Sequence, residues 1–399
     1  MGNRTRFRDV FYTYAQFQEV SWDSVSENVY MNMRAPYSRP YQVELQEGYT
    51  VKPVTGAYYY GNDNQVRFTG DEACKVDISH LEDATRVTVR DVPAFEPRYF
   101  QMDKTVKNED QIGFYGSLEI DHDKISGEIT SQFKEKMENC TVFFNDKLIY
   151  LGDVEPGQTV EVGNYPVLEY PKNHSFDVAS YLSGQSAFDQ ADIEDDAYVE
   201  AVEKTNLLSF YLDYYMPSYL SAARVVGIKT NSGSHSGLIR AGDVEGRTVA
   251  SSNVDVYSSE DEILYRQATQ RQPKVISGNY DENSNALFGM DPVTLEYSLG
   301  SDIWIQRLTM DFVSDEFLQN GSGTLLKFSG NIYFYNHSTG SFDKQEPAKR
   351  DYDSADLAPY LSPGNTITVK YVYENNSEYN WDVLLPVLNV MGRTIDDRD

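Results

Sequence analysis

CTVFFNDKLIYLGDVEPGQTVEV, residues Cys140 to Val162, holds three short strand-like runs separated by two turns. Its second half recurs near the C-terminus as LAPYLSPGNTITV, Leu357 to Val369. Each copy places Pro-Gly, one polar residue and Thr ahead of an alternating strand: Pro156-Gly157-Gln158-Thr159-Val160-Glu161-Val162 and Pro363-Gly364-Asn365-Thr366-Ile367-Thr368-Val369. Proline sets φ for the turn, and the glycine after it accepts a positive φ. β-branched residues then fill one face of a strand. Gly157 and Gly364 are therefore both expected in the left-handed region. Two such units, far apart in the chain, point to separate β-sandwich modules.

The chain has 399 residues, enough for about two to four domains of ~100–200 residues. With 40% hydrophobic and 13% aromatic residues it can fill real cores, which excludes global disorder. Tyrosine occurs 31 times, which suits half-buried pleated surfaces where the ring packs and the hydroxyl reaches water. The formal charge of −28, from 62 acidic against 34 basic residues, repels phosphate backbones and anionic lipid. No nucleic-acid partner is expected. Cys74 and Cys140 are too few for a disulfide framework or a zinc site, and are expected as two separate buried thiols. No apolar run approaches the ~18–20 residues that span a bilayer. Met1-Gly2-Asn3 leads straight into Arg4, Arg6 and Arg8, so no signal peptide is read there.

Residues 1–93 read as a β-rich module, with period-two alternation in Tyr41 to Leu45, Gln65 to Phe68 and Thr85 to Val89. Asp91 to Pro97, with two prolines, reads as a linker. Residues 98–170 carry evenly spaced strands at Ser117 to Ile120, Gly127 to Thr130, Thr141 to Phe144, Leu148 to Leu151 and Thr159 to Val162, with a hairpin at Asn145-Asp146. Residues 171–286 form a mixed α/β connecting unit. Asp192 to Asp196 supply acids for a helix start, and Val199, Val202, Leu208, Leu212 and Tyr215 recur at helical spacing, so a helix is expected near 193–215 and a short one near 218–223. Short strands follow at Arg224 to Ile228 and Thr248 to Ala250. From 287 to 399 the β pattern returns, with a hairpin turn at Asn336 to Gly340. The fold class expected is mainly β: tandem sandwich modules with a small α-containing middle unit.

Residues 98–170, with Gly127-Glu128-Ile129, Val142-Phe143-Phe144 and Leu151 to Gly157, resemble Ig-like modules of bacterial surface proteins. Residues 290–395, with Ile332 to Asn336, Thr339 to Asp343 and Leu385 to Val390, resemble a jelly roll of the galactose-binding-like type, although Phe342 stands where that family often has Trp. The order of modules resembles the ectodomain of uncharacterised Gram-positive membrane proteins. The resemblance implies an extracellular or cell-surface setting, with membrane attachment only through segments outside this sequence. It implies fold more than function, since galactose-binding-like folds include members that bind no sugar.

Metal and ligand candidates follow from the acids and aromatics. Asp281, Asn283 and Asn285 alternate like half a calcium loop, but Ala286 stands where the sharp turn needs Gly and Pro292 where the bidentate Glu belongs. Asp351, Asp353 and Asp356 are the acids spaced to gather round a jelly-roll Ca²⁺, against the plainer reading of a solvated loop. The histidines His80, His122, His174, His235 and His337 show no metal spacing. Ser131 and Lys134 match S-x-x-K without its companion motifs, and no phosphate-cradling loop occurs. For a neutral glycan, the last module offers ring, amide and carboxylate in Trp381, Asn336, His337 and Asp343, with Trp304 and Tyr58 to Tyr60 as further rings. Strand Trp and Tyr residues are more often packing than platforms. The sequence thus points to a non-catalytic extracellular module for adhesion, assembly or sensing at a bacterial envelope, with protein partners or a neutral glycan. A carbohydrate-binding protein of a glycan-processing system is the alternative, and a hydrolase the third.

Overall fold

A computed structural model describes residues 10–54, 75–90, 93–121, 124–216, 222–232, 237–239, 244–258, 264–267, 272–287, 289, 291–320, 325–373 and 382–394. The fold is mainly β, built as successive sandwich-like layers with a small helical layer on one side. Its spine is the strand Val244–Ser258. The first part of this strand pairs in parallel with Phe11–Val20, and its last residues pair in parallel with Phe114–Asp121. One sheet therefore carries, in order, Leu168–Glu169, Lys147–Val154, Met137–Phe144, Ala223–Ser232, Val244–Ser258, Phe11–Val20, Ser24–Arg34, Arg98–Lys107 and Thr50–Val54. Strands on both sides of residues 93/98 and 170/171 are neighbours within it. Ser24–Arg34 pairs along its length with Arg98–Lys107, from Ser24 opposite Lys107 to Met33 opposite Arg98.

The turn segment before Arg98 is tied down. The Phe95 amide donates to the Ala35 carbonyl at 2.7 Å, and the Ala94 amide donates to Ser38 Oγ at 2.9 Å. Asp91 and Val92 lie outside the described residues.

Two cores lie on one face of the large sheet. Phe114, Leu118, Ile125 and Ile129 close over Val142, Ile149, Val225 and Val254 to make a sandwich core. Tyr12, Val29, Met31 and Phe100 pack against the small sheet of Tyr41–Gln46, Ala84–Arg90 and Lys75–His80. Strand alternation places Gln16 and Gln18 on this same face, between the two cores. Both are buried, and they form a polar seam: Thr248 Oγ1 donates to Gln16 at 3.0 Å and Gln18 donates to Glu27 at 2.9 Å.

The opposite face carries helices α1 (Ser175–Ser183) and α2 (Asp196–Tyr214). α2 begins as its acids predict. Asp195 is the N-cap, and its carboxylate accepts the Ala197 amide at 2.8 Å. Its buried residues are Ala201, Thr205, Leu207, Leu208 and Tyr211; of the expected stripe, Leu208 is buried and Leu212 and Tyr215 pack against the same core, whereas Val199 is exposed. Of the expected helix near 218–223, residues 218–221 lie outside the described residues, and Ala223 opens a strand.

The C-terminal sandwich stacks Lys274–Ser277, Val293–Ser298, Thr366–Val372, Asn331–Asn336 and Ser341–Lys344 against a sheet centred on Ile303–Asp311 and Val387–Thr394. Its core is built from Leu295, Tyr297, Leu308, Phe334, Val369 and Val390. Two shorter helices, α3 (Asp315–Asn320) and α4 (Ser354–Leu357), complete the four α-helices among the described residues. Among those residues no helix is long and apolar enough to cross a membrane.

The two Pro-Gly turns differ. Gly157 has φ +73°, as expected, but Gly364 does not take a positive φ. Asn365 makes the left-handed step instead, at φ 53°. Asn tolerates that conformation better than most residues, and its Nδ2 is held by the Gly300 and Ile303 carbonyls.

Candidate functional site

A cleft of about 710 Å³ opens where α2 leaves part of the large sheet uncovered. Its floor follows from register. Ala15 sits opposite Tyr30 on one side and Arg247 on the other, and Arg247 sits opposite Thr230. One step along, Thr13 sits opposite Asn32, which in turn sits opposite Tyr99. Alternation puts these side chains on the helix-facing side of the sheet. Glu203, Asn206, Leu207 and Phe210 of α2 form the wall.

The wall is aromatic and held in place. Phe210 stacks on Phe17 with ring centroids 5.4 Å apart, and meets Tyr30 edge-on at 5.5 Å. Phe17 stacks on Tyr215 at 4.5 Å, and the Tyr30 and Tyr215 hydroxyls lie 3.0 Å apart. Burial holds the Tyr30 phenol above its ordinary pKa, so it stays a neutral donor and acceptor. The charged rim residue Arg247 is engaged, donating to Thr230 Oγ1 at 2.6 Å and to Glu203 at 3.2 Å. Asn32 donates to Thr13 Oγ1 at 3.3 Å, while its shielded Oδ1 has no hydrogen-bond donor. The cleft thus presents rings, hydroxyls and amides, with Glu203, Glu245 and Arg247 also in its lining.

A second cluster lies where the large sheet meets the C-terminal sandwich. Asp146 follows the Asn145 turn residue, Glu169 pairs with Lys147 across two strands, and Asp311 ends a strand of the sandwich. Ligand-type oxygens of Asp146, Glu169 and Asp311 lie within 4.8 Å of one another. Lys147 donates to Glu169 and, at 3.0 Å, to Asp311. Asn389 donates to Asp311 at 2.6 Å and to Asp146 at 3.4 Å. Burial, then the neighbouring Asp146 carboxylate, pushes Glu169 up to about 10. Burial also lowers the pKa of the nearby Lys172, against the pull of Asp146.

The residues singled out in the sequence are distributed differently. Trp381 and Tyr58 to Tyr60 lie outside the described residues. Asn336 and Asp343 do meet, at 2.7 Å, but Asn336 is a turn residue: its Oδ1 accepts the Ser338 and Thr339 amides at 2.9 and 3.2 Å. Tyr360 donates to Asp343 at 3.4 Å. His337 is exposed and meets Tyr335 edge-on. Asp351, Asp353 and Asp356 serve local structure and do not gather. Asp351 grips Arg307 through both carboxylate oxygens, and Asp353 and Asp356 form the capping box of α4, with Asp356 also bound to Lys349 at 2.8 Å. The acids that do gather, among the described residues, are Asp146, Glu169 and Asp311. Cys140 is a buried thiol whose pKa burial pushes up, whereas Cys74 lies outside the described residues. Sequence reasoning missed the cleft because Thr13, Tyr30, Phe210 and Arg247 share no local motif.

Residues 113–263 match a family described as a domain of unknown function (DUF8725), and residues 261–392 match a second such family (DUF8815). The acidic cluster draws Asp146 and Glu169 from the first matched segment, and Asp311 and Asn389 from the second. No curated protein matches the chain. Among solved structures, the chain is similar to the yeast delta-COP-I mu-homology domain complexed with a Dsl1 WxWxV peptide, at 10% identity and TM-score 0.26. It is also similar to the yeast delta-COP-I mu-homology domain by itself, at 9% identity and TM-score 0.27. Each likeness covers 63% of this chain and 98% of the other, a superposition too loose to set residues in correspondence.

Proposed function

We propose that this chain is a non-catalytic binding module of an extracellular bacterial surface, serving adhesion, assembly or sensing, and that the cleft beside α2 takes a neutral, hydroxyl-rich ligand such as a glycan. The observation that carries this reading is the cleft's chemistry: a braced aromatic wall facing hydroxyl and amide groups, with the charge of Arg247 taken up by Glu203. Sugar C–H faces pack on rings, and sugar hydroxyls exchange hydrogen bonds with hydroxyl and amide groups. A volume near 710 Å³ falls in the range of small-ligand sites, ~300–1,000 Å³. The net charge of −28 disfavours anionic ligands and suits a solvent-exposed setting.

The test is a neutral-glycan array probed with the full chain, then with Asn206→Ala on the exposed rim and Tyr30→Phe on the floor. Retention of a defined glycan class by the parent chain, weakened at least several-fold in both variants at unchanged melting temperature, is expected. Retention of no neutral glycan, or equal retention by all three proteins, would exclude the cleft as a glycan site.

A further inference from the structure

The cluster at Asp146, Glu169 and Asp311 has no part in the cleft. Three carboxylates crowd round one ammonium, Lys147, with the half-buried Lys172 nearby. Lys147 reaches Glu169 and Asp311, and the side-chain partner of Asp146 is the neutral amide of Asn389. Burying carboxylates this close together is costly unless something positive joins them.

The unsatisfied atoms point the same way. Asp146 Oδ1, Glu169 Oε2 and Asn389 Oδ1 are each shielded from solvent and lack a hydrogen-bond donor. Asp146 and Asn389 are each only 1% exposed, so bulk solvent does not reach them. Asn389 is not an acid, yet it is drawn into the cluster by its amide, which touches both Asp146 and Asp311. A half-turn of that carboxamide exchanges Nδ2 for Oδ1, a change that a cation standing between the oxygens would favour.

We propose that Asp146, Glu169 and Asp311, completed by Asn389 Oδ1, form an oxygen-ligand site for a calcium-sized divalent cation that fastens the C-terminal sandwich to the large sheet. Oxygen ligands alone select hard cations. Ca²⁺–O distances of about 2.3–2.6 Å allow oxygens up to ~5 Å apart across one ion, which accommodates the 4.8 Å limit found here. Mg²⁺, at about 2.0–2.1 Å, requires the cluster to contract if its oxygens stand at that limit. Lys147 remains as a second counter-charge on Asp311 and Glu169, and weakens the ion's hold without replacing its coordination.

The full chain, stripped with chelator and dialysed, is titrated with CaCl₂ and separately with MgCl₂ while heat of binding and melting temperature are recorded. One Ca²⁺ per chain, a rise in melting temperature of several degrees and weaker Mg²⁺ binding are expected. Asp311→Asn should abolish the saturable heat. Lys147→Met, which removes the competing ammonium, should bind Ca²⁺ at least several-fold more tightly and recover any lost stability when Ca²⁺ is added. Absence of saturable binding at millimolar Ca²⁺ in both the parent chain and Lys147→Met would overturn the proposal. So would an effect retained in Asp311→Asn, which would identify general screening of an acidic surface.

Discussion

At Asn365 the backbone turns left-handed and the side chain reaches across the sandwich. Its Nδ2 donates to the Gly300 carbonyl at 2.9 Å and to the Ile303 carbonyl at 2.7 Å. Asn365→Ala loses both bonds and the residue type that tolerates this φ, and is expected to cost about 2 kcal/mol. Gly364→Ala, with no positive φ and nothing closer than Ser362 Oγ at 3.8 Å, should be neutral within ~0.5 kcal/mol. Gly157→Ala has open space around it but keeps φ +73°, so about 1 kcal/mol of backbone strain is expected. Urea unfolding of the three variants checks the order. Equal losses at Gly157 and Gly364 would restore the symmetrical turn that the sequence implies. The motif P-G-polar-Thr was readable at both sites, but which residue turns left-handed depends on whether the next side chain finds carbonyls to bind. That is a contact with residues more than sixty positions away.

Among the elements, α2 matters most because it makes one wall of the cleft. Its hold at the N-terminus is local and legible: Asp195 accepts the Ala197 amide. Asp195→Ala is expected to lower stability by about 1 kcal/mol, read from thermal or urea unfolding, and to leave the cleft's ring stacking intact. A loss below ~0.2 kcal/mol would mean that packing of Leu208 and Tyr211 alone sets where the helix starts. The exposure of its first turn was not legible. Val199 looks like a core residue by spacing, but the helix is fixed by Lys204, which bonds Glu138 at 2.8 Å, and by Thr205 against Ser183 at 2.6 Å. The spine strand Val244–Ser258 was only partly read, at Thr248 to Ala250. Buried polar residues Ser251 and Ser252 interrupt its hydrophobic run, and Ser252 Oγ accepts the Phe114 amide at 3.0 Å.

For the whole molecule, the decisive feature is that the spine strand is shared. Residues 98–170 read by themselves as a sandwich, but in the structure Phe114–Asp121 pairs with Val244–Ser258 and Met137–Phe144 pairs with Ala223–Ser232. A fragment of residues 98–170 lacks those partners, and those of Arg98–Lys107, and leaves edges of three strands and the core face of Val142 and Leu118 open. Expressed alone it should show no cooperative unfolding transition by circular dichroism, whereas the full chain should. A fragment that melts cooperatively would establish an independent module there.

The sequence by itself determined that the chain is mainly β, where most strands and the main helix lie, and that two Pro-Gly turns recur. Alternation of period two, turn chemistry and helix caps are local, so each is written in a few consecutive residues. Tertiary structure alone decided which strands share a sheet, where the cleft opens and which acids converge. Asp146 and Asn389 stand 243 residues apart and meet only because two units dock. The acids that alternate in sequence, Asp351, Asp353 and Asp356, instead disperse into an arginine clamp and a helix cap. Convergence of side chains depends on the register and packing of distant strands, and no pattern in neighbouring residues encodes it.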